Sequence, residues 1–130
     1  MSQDLELRAD SGRAPVLADL VFWTVAGTVV IALSGSLDST WGTDRAALVV
    51  VAGVLVVGGL AALAALWRTR PMPRRLVRVF GVANLGIAPV VLVAALIDLL
   101  DLTGSGNAAL AGVAVVTVVL GAWQLAGARR

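Results

Sequence analysis

The stretch Arg68-Thr69-Arg70-Pro71-Met72-Pro73-Arg74-Arg75-Leu76-Val77-Arg78 separates two long apolar runs and decides how the chain is threaded. Five of the ten basic residues of the chain lie within it. Pro71 and Pro73 lack a backbone N–H and restrict the residue before them, so one helix must end and another must begin here. Short arginine-rich loops stay on the cytoplasmic side of a membrane, because moving charge through hydrocarbon is costly. The sequence therefore predicts a cytoplasmic turn whose topology determinants are Arg68, Arg70, Arg74, Arg75 and Arg78.

The composition predicts an integral membrane protein. The chain has 130 residues, of which 59% are apolar and 14% charged, and its mean hydropathy is +0.96. Soluble domains are roughly half apolar and a quarter charged, and a chain this short could not hide the excess. The net charge of +2 comes from arginines at the ends of apolar runs. Membrane topology accounts for them, so we expect the lipid bilayer as the partner and no nucleic acid.

The residue types that are missing narrow the possible chemistry. The chain has no Cys, no His and no Lys. Thiol nucleophiles, disulfides, thiolate or imidazole metal ligands and Schiff-base chemistry are thereby excluded. We expect no enzyme activity, no cofactor and no metal. Arginine without lysine, in a chain rich in Ala, Val, Gly and Leu, is typical of a GC-rich bacterial genome.

Apolar runs predict a polar cytoplasmic tail over residues 1–14 and one membrane domain over 15–130. The predicted spans are about 16–37, 46–67, 76–100 and 108–126. A helix of the length of the second span is about 33 Å long, which matches a hydrocarbon core of about 30 Å. The predicted fold is an all-α, integral membrane four-helix bundle. A second interpretation stays open, in which Arg8, Arg13 and the first apolar run form a cleaved signal peptide.

The distribution of charge gives the orientation. Four spans place nine arginines on one side of the membrane and only Arg45 on the other. This asymmetry predicts that both the N- and the C-terminus are cytoplasmic. The predicted location is the bacterial plasma (inner) membrane, as a multi-pass protein.

Polar side chains inside the spans are candidate contacts. Asn84 lies deep in the third span, where an unpaired amide would cost several kcal/mol, so it needs a partner. Thr24, Thr117 and Gln124 lie on stripes of small residues and are the predicted partners for an interhelical hydrogen bond. Asp19 is predicted near the membrane boundary, where it would meet arginines of the central turn. A contact of Asn84 with a ligand or an ion pathway remains the alternative.

Acidic residues at the other boundary predict a second contact. Asp98 and Asp101 are three residues apart at the end of the third span, where a helix dipole opposes carboxylates. Arg45 is the one cation expected on that side, so we predict an ion pair from Arg45 to Asp98 or Asp101. A weak divalent-cation site built with Asp38 and Asp44 is an alternative.

These features together resemble a set of small bacterial membrane proteins with four helices. The matching residues are the Arg-Thr-Arg-Pro-Met-Pro-Arg-Arg turn at 68–75, Asn84, Gly112, and Gln124 followed by arginines. The resemblance spans about residues 16–130. It implies the four-helix fold and no particular activity.

Two functions follow as hypotheses. The first is a structural or accessory subunit that uses its helix faces to bind itself, as a homo-oligomer, or a larger membrane complex. The alternative is a small oligomeric transporter or channel for an ion or a small cationic solute. Small multidrug transporters are similar in size and number of spans but carry a Glu within the first helix. Here Asp19 is the nearest counterpart, which weighs against the alternative.

Overall fold

A computed structural model of the chain describes residues 11–130, together with Gln3. Within this part the protein is all-α, with helices α1 (Arg13–Trp41), α2 (Arg45–Leu66), α3 (Arg74–Leu96) and α4 (Gly104–Arg129). Each of the four is long and apolar enough to cross a membrane, with mean hydropathy from 2.0 to 2.7 over its most apolar stretch. The predicted all-helical membrane fold is confirmed to that extent. Most of the predicted tail, residues 1–10 apart from Gln3, lies outside the described residues.

The helix bounds differ from the predicted spans where polar residues continue a helix. The helix α1 runs on to Trp41, four residues beyond the predicted end of the first span. Ser39 and Thr40 donate their hydroxyls to the carbonyl of Ser36, at 3.2 and 2.8 Å. These back-bonds satisfy the hydroxyls without breaking the helix. In contrast, α3 ends at Leu96, four residues before the predicted end.

The helix ends carry the caps that their sequence favours. Gly42, with φ of 69°, ends α1 in the left-handed conformation that glycine adopts without steric cost. Asp44 caps α2 by accepting the backbone N–H of Ala46, and Thr103 caps α4 by accepting that of Gly106. These side chains satisfy backbone donors that a helix start leaves unpaired.

The four helices form two hairpins, α1–α2 and α3–α4, which meet where α1 packs on α4. The helix α1 also touches α3. Among the described helices, α2 packs closely on α1 alone. Close approach of backbones occurs at glycines in both hairpins. A Cβ on Gly27 of α1 would lie 2.8 Å from the carbonyl oxygen of Ala52 in α2, and one on Gly121 of α4 would lie 3.0 Å from that of Gly81 in α3.

The arginine end of the bundle, defined by the turn at 67–73 and by Arg129–Arg130, contains a buried apolar cluster. It consists of Val16, Leu20, Met72, Val77 and Ala128. Met72, between the two prolines, is only 2% exposed, so the turn inserts this apolar side chain into the end of the bundle. This packing fixes the turn against three helices.

The opposite end, which contains the turns at 42–44 and 97–103, is held by hydrogen bonds from Thr103. Thr103 donates its N–H to the carbonyl of Trp41 at 3.0 Å and its hydroxyl to the carbonyl of Thr40 at 2.5 Å. The end of α1 is thereby joined to the start of α4. Asp98 and Asp101, both with φ of 51°, form the tight turn that leads there.

Candidate functional site

Three polar side chains from three helices meet inside the bundle. Asn84 of α3 donates from Nδ2 to Asp19 Oδ2 of α1 at 2.7 Å and to Gln124 Oε1 of α4 at 2.9 Å. Gln124 donates from Nε2 to the same Asp19 Oδ2 at 2.7 Å. The three side chains are between 0 and 7% exposed. We call Asp19, Asn84 and Gln124 the polar triad.

Helix packing brings the triad together. Asn84 and Gln124 each lie three residues after a glycine, Gly81 and Gly121, at which α3 and α4 come into backbone contact. Side chains three residues apart share a helix face, so both amides point into the same interface. The other side of the interface is closed by α1, on which Asp19 lies between the buried Val16 and Leu20. The triad therefore occupies the junction of α1, α3 and α4.

One buried atom of the polar triad has no hydrogen-bond partner. Both amide hydrogens of Asn84 are used within the triad. Those of Gln124 go to Asp19 and, at 3.4 Å, to the carbonyl of Pro15. Asp19 Oδ2 accepts two hydrogen bonds, but Asp19 Oδ1 is buried and has no hydrogen-bond partner. An unpaired buried acceptor costs free energy, so this oxygen is the buried atom of the triad that would gain from a further interaction.

The electrostatic setting of Asp19 is unusual for a buried acid. Among the described residues no arginine forms an ion pair with it, and amide dipoles are its hydrogen-bonding partners. Acidic residues within membrane helices are rare and mark either polar contacts between helices or paths for ions and solutes. Residues 11–130 contain no group of three or more His, Cys, Asp or Glu that could hold a metal ion. The alternative cation site with Asp38 and Asp44 is therefore not assembled there.

The candidate partners of Asn84 are placed differently from one another. Gln124 accepts its amide hydrogen, as described above. Thr24 instead donates to the carbonyl of Leu20 at 2.7 Å, and Thr117 to the carbonyls of its own helix. Both hydroxyls are satisfied one turn back along their helices, which leaves the amide of Asn84 to the longer side chains.

Asp19 is the member of the triad that sequence reasoning missed. The sequence predicts that it meets arginines at the membrane boundary, yet it is buried and accepts hydrogen bonds from two amides. A signal was present in the spacing. Gly27 and Ser34, the buried small residues of α1, follow Asp19 at intervals of eight and seven residues, which places all three on one helix face.

The polar residues at the opposite end are not brought together as predicted. Arg45 donates from Nε to the buried Ser34 Oγ at 3.3 Å. Asp98 accepts from Asn107 Nδ2 at 2.7 Å and from the backbone N–H of Leu102 at 3.1 Å. In the described part of the chain no ion pair joins Arg45 to Asp98 or Asp101. The reason is the packing, since Arg45 begins α2, which lies against α1 and away from α3.

The arginines of the central turn lie on the surface. Arg68, Arg70, Arg74, Arg75 and Arg78 are all exposed. Arg74 donates to the carbonyl oxygen of Arg130 at 3.1 Å, which ties the start of α3 to the end of α4. The positive charge of both segments is therefore gathered at one end of the bundle, as the topology prediction requires.

Comparisons with protein families, with curated proteins and with solved structures find no match for this chain, so its function must be argued from its own residues.

Proposed function

We propose that this protein is a structural or accessory subunit of the bacterial plasma membrane, with both termini in the cytoplasm. It assembles with copies of itself or with a larger membrane complex through its helix faces. The observation that carries the proposal is the position of α2. This helix packs closely on α1 alone among the described helices, and only Ala52 and Gly59 of its residues are buried.

The free surface of α2 suits contact with another helix. A Cβ on Gly53 or Gly58 would meet nothing within 4 Å, so the backbone is open to close approach from outside. In lipid, helices associate where small residues let their backbones approach, because apolar side chains gain little by leaving lipid tails. A partner helix would pack there without displacing any contact of the chain.

The polar triad supports the same role, as a latch between the two hairpins. It joins α1 to α3 and α4 by hydrogen bonds in which the side-chain NH2 groups of Asn84 and Gln124 each donate both of their hydrogens. Each interhelical bond of this kind contributes about 0.6 to 2 kcal/mol. A latch of this sort keeps the hairpins in one arrangement and leaves the outer faces free for assembly.

The test is the size of the purified assembly and the set of proteins that copurify with it. The full chain, extracted in a mild detergent, is expected to elute as more than one copy or with a membrane partner. The substitution Gly58→Leu should remove that association, because it fills the open face of α2. Gly112→Leu, on an equally open position of α4, is the matched control. A lone monomer without partners, or equal loss in both variants, would contradict the role given to α2.

A second candidate function rests on Asp19 Oδ1. A buried acidic oxygen without a partner is what a small oligomeric transporter or channel would use to bind a cation or cationic solute. Protein reconstituted alone in liposomes would then move such a solute, and Asp19→Asn would abolish the flux. Liposomes that stay impermeable to monovalent cations and to cationic dyes would exclude this function for those solutes.

A further inference from the structure

A groove runs along the surface of α2 toward the arginine end of the bundle. Its lining residues are Leu60, Leu63, Ala64, Trp67 and Arg68, and its volume is about 360 Å³. Leu60 is 53% exposed and Trp67 is 60% exposed, so these two apolar walls are open to the outside, whereas Leu63 also packs against the buried cluster at the arginine end. The groove changes from aliphatic to aromatic and then to cationic over two turns of helix.

The cationic end of the groove is Arg68, and Arg13 lies next to Trp67. Arg68 lines the groove directly. The guanidinium carbon of Arg13 lies 5.8 Å from the centre of the Trp67 ring, and its Nη2 donates to the carbonyl oxygen of Trp67 at 2.6 Å. Arg13 Nε is buried and has no hydrogen-bond partner. The side chain of Arg13 is thus held against Trp67, next to the groove lining, with Nε turned into the protein.

No carboxylate of α2, the central turn or α3 neutralises this charge. The sequence has no Asp or Glu between Asp44 and Asp98, whereas five arginines lie in that interval beyond Trp67. Among the described residues, Asp19 is the nearest acid along α1, and its Oδ2 is occupied by Asn84 and Gln124. The groove therefore ends in a positive charge that would attract an anion.

We propose that the groove binds one anionic phospholipid of the leaflet at the arginine end. Its phosphate is held by Arg68 and Arg13, and one acyl chain lies along Leu63 and Leu60. Arg68 lies eight residues after Leu60, two residues beyond the end of α2, and this distance is about 12 Å at the rise of a helix, which fits within the roughly 15 Å depth of one hydrocarbon leaflet. A tryptophan at the level of the headgroups is the usual membrane anchor. Basic pockets at this depth attract anionic lipids. This inference does not depend on the proposed function.

The experiment uses the full chain in detergent micelles that contain either phosphatidylglycerol or phosphatidylcholine with the same acyl chains. Native mass spectrometry counts the lipids that each protein molecule retains. We expect one phosphatidylglycerol to be retained in preference to phosphatidylcholine. Arg68→Gln should lower its affinity about fivefold, the effect of one arginine near a membrane surface. Arg68 is exposed, so this change should not disturb folding.

Two control variants separate a defined site from diffuse charge. Arg75→Gln removes a charge from the start of α3, at the same end of the bundle but outside the groove lining, and Arg45→Gln removes the charge at the opposite end. Both should retain phosphatidylglycerol as the unmodified chain does, and inorganic phosphate should not compete. Equal retention of the two lipids would overturn the proposal. So would an equal loss in Arg68→Gln and Arg75→Gln, or displacement by inorganic phosphate alone.

Discussion

The close approach of α3 and α4 gives a sharp test of the packing, through the substitution Gly121→Ala. The added Cβ would lie 2.9 Å from Leu85 Cγ, 3.0 Å from the carbonyl oxygen of Gly81 and 3.1 Å from Asn84 Cβ. Leu85 can rotate away, but the carbonyl and the Cβ are fixed to the backbone of α3. The helices must therefore move apart, and the hydrogen bond between Asn84 and Gln124 lengthens with them.

The magnitude follows from two opposing effects. Overpacking a well-packed interface costs about 1–3 kcal/mol. Replacing glycine by alanine within a helix returns up to about 1 kcal/mol through helix propensity. Gly112→Ala, on the same helix, isolates the second effect, because nothing lies within 4 Å of its added Cβ. Gly121→Ala should thus be about 1–3 kcal/mol less stable than Gly112→Ala.

The assay is reversible unfolding in mixed micelles, titrated with a denaturing detergent and followed by circular dichroism. The free energy of unfolding of Gly112→Ala should equal or exceed that of the unmodified chain, and that of Gly121→Ala should fall below it. Equal stabilities of the two variants would refute the contact between α3 and α4 at this position. A more stable Gly121→Ala would refute it as well.

Three further predictions concern the triad, the tight turn and the orientation. Asn84→Leu should lower the free energy of unfolding by about 2 kcal/mol, because it leaves Asp19 Oδ2 with one hydrogen-bond donor. The control Thr28→Val removes an exposed hydroxyl that is bonded within its own helix, and it should change the free energy of unfolding by less than about 0.5 kcal/mol. Equal effects in the same detergent titration would rule out the latch. Asp101→Val should unfold about 1–2 kcal/mol more easily than Asp101→Gly, because a β-branched residue resists the left-handed conformation at φ of 51°; identical midpoints would show that the turn is not left-handed. Since the chain has no cysteine, Thr69→Cys and Thr43→Cys introduce single labelling sites, and an impermeant thiol reagent added to intact cells should modify only the second. Labelling of the first alone would invert the proposed topology.

The sequence by itself determined the number and position of the membrane-capable helices. Hydropathy is a local and additive property, so a run such as 46–67 identifies its helix, Arg45–Leu66, to within one residue at each end. The prolines and arginines of the central turn act locally too, because they exclude a helix and resist entry into hydrocarbon. The position of Asn84 deep within a membrane span is also enough to predict that its amide needs a hydrogen-bond partner.

Only the tertiary structure decided which polar groups meet. Periodicity assigns Asp19 to a face of α1, but a face does not specify its neighbour. That depends on the backbone approach at Gly81 and Gly121 and on the docking of α1 across the α3–α4 interface. The same limit applies to Arg45, whose reach to Asp98 depends on how far α2 lies from α3. Interhelical contacts join residues that are distant along the chain. The hydropathy and periodicity of each single helix are compatible with many arrangements of the four helices, and the packing of side chains between helices selects one of them.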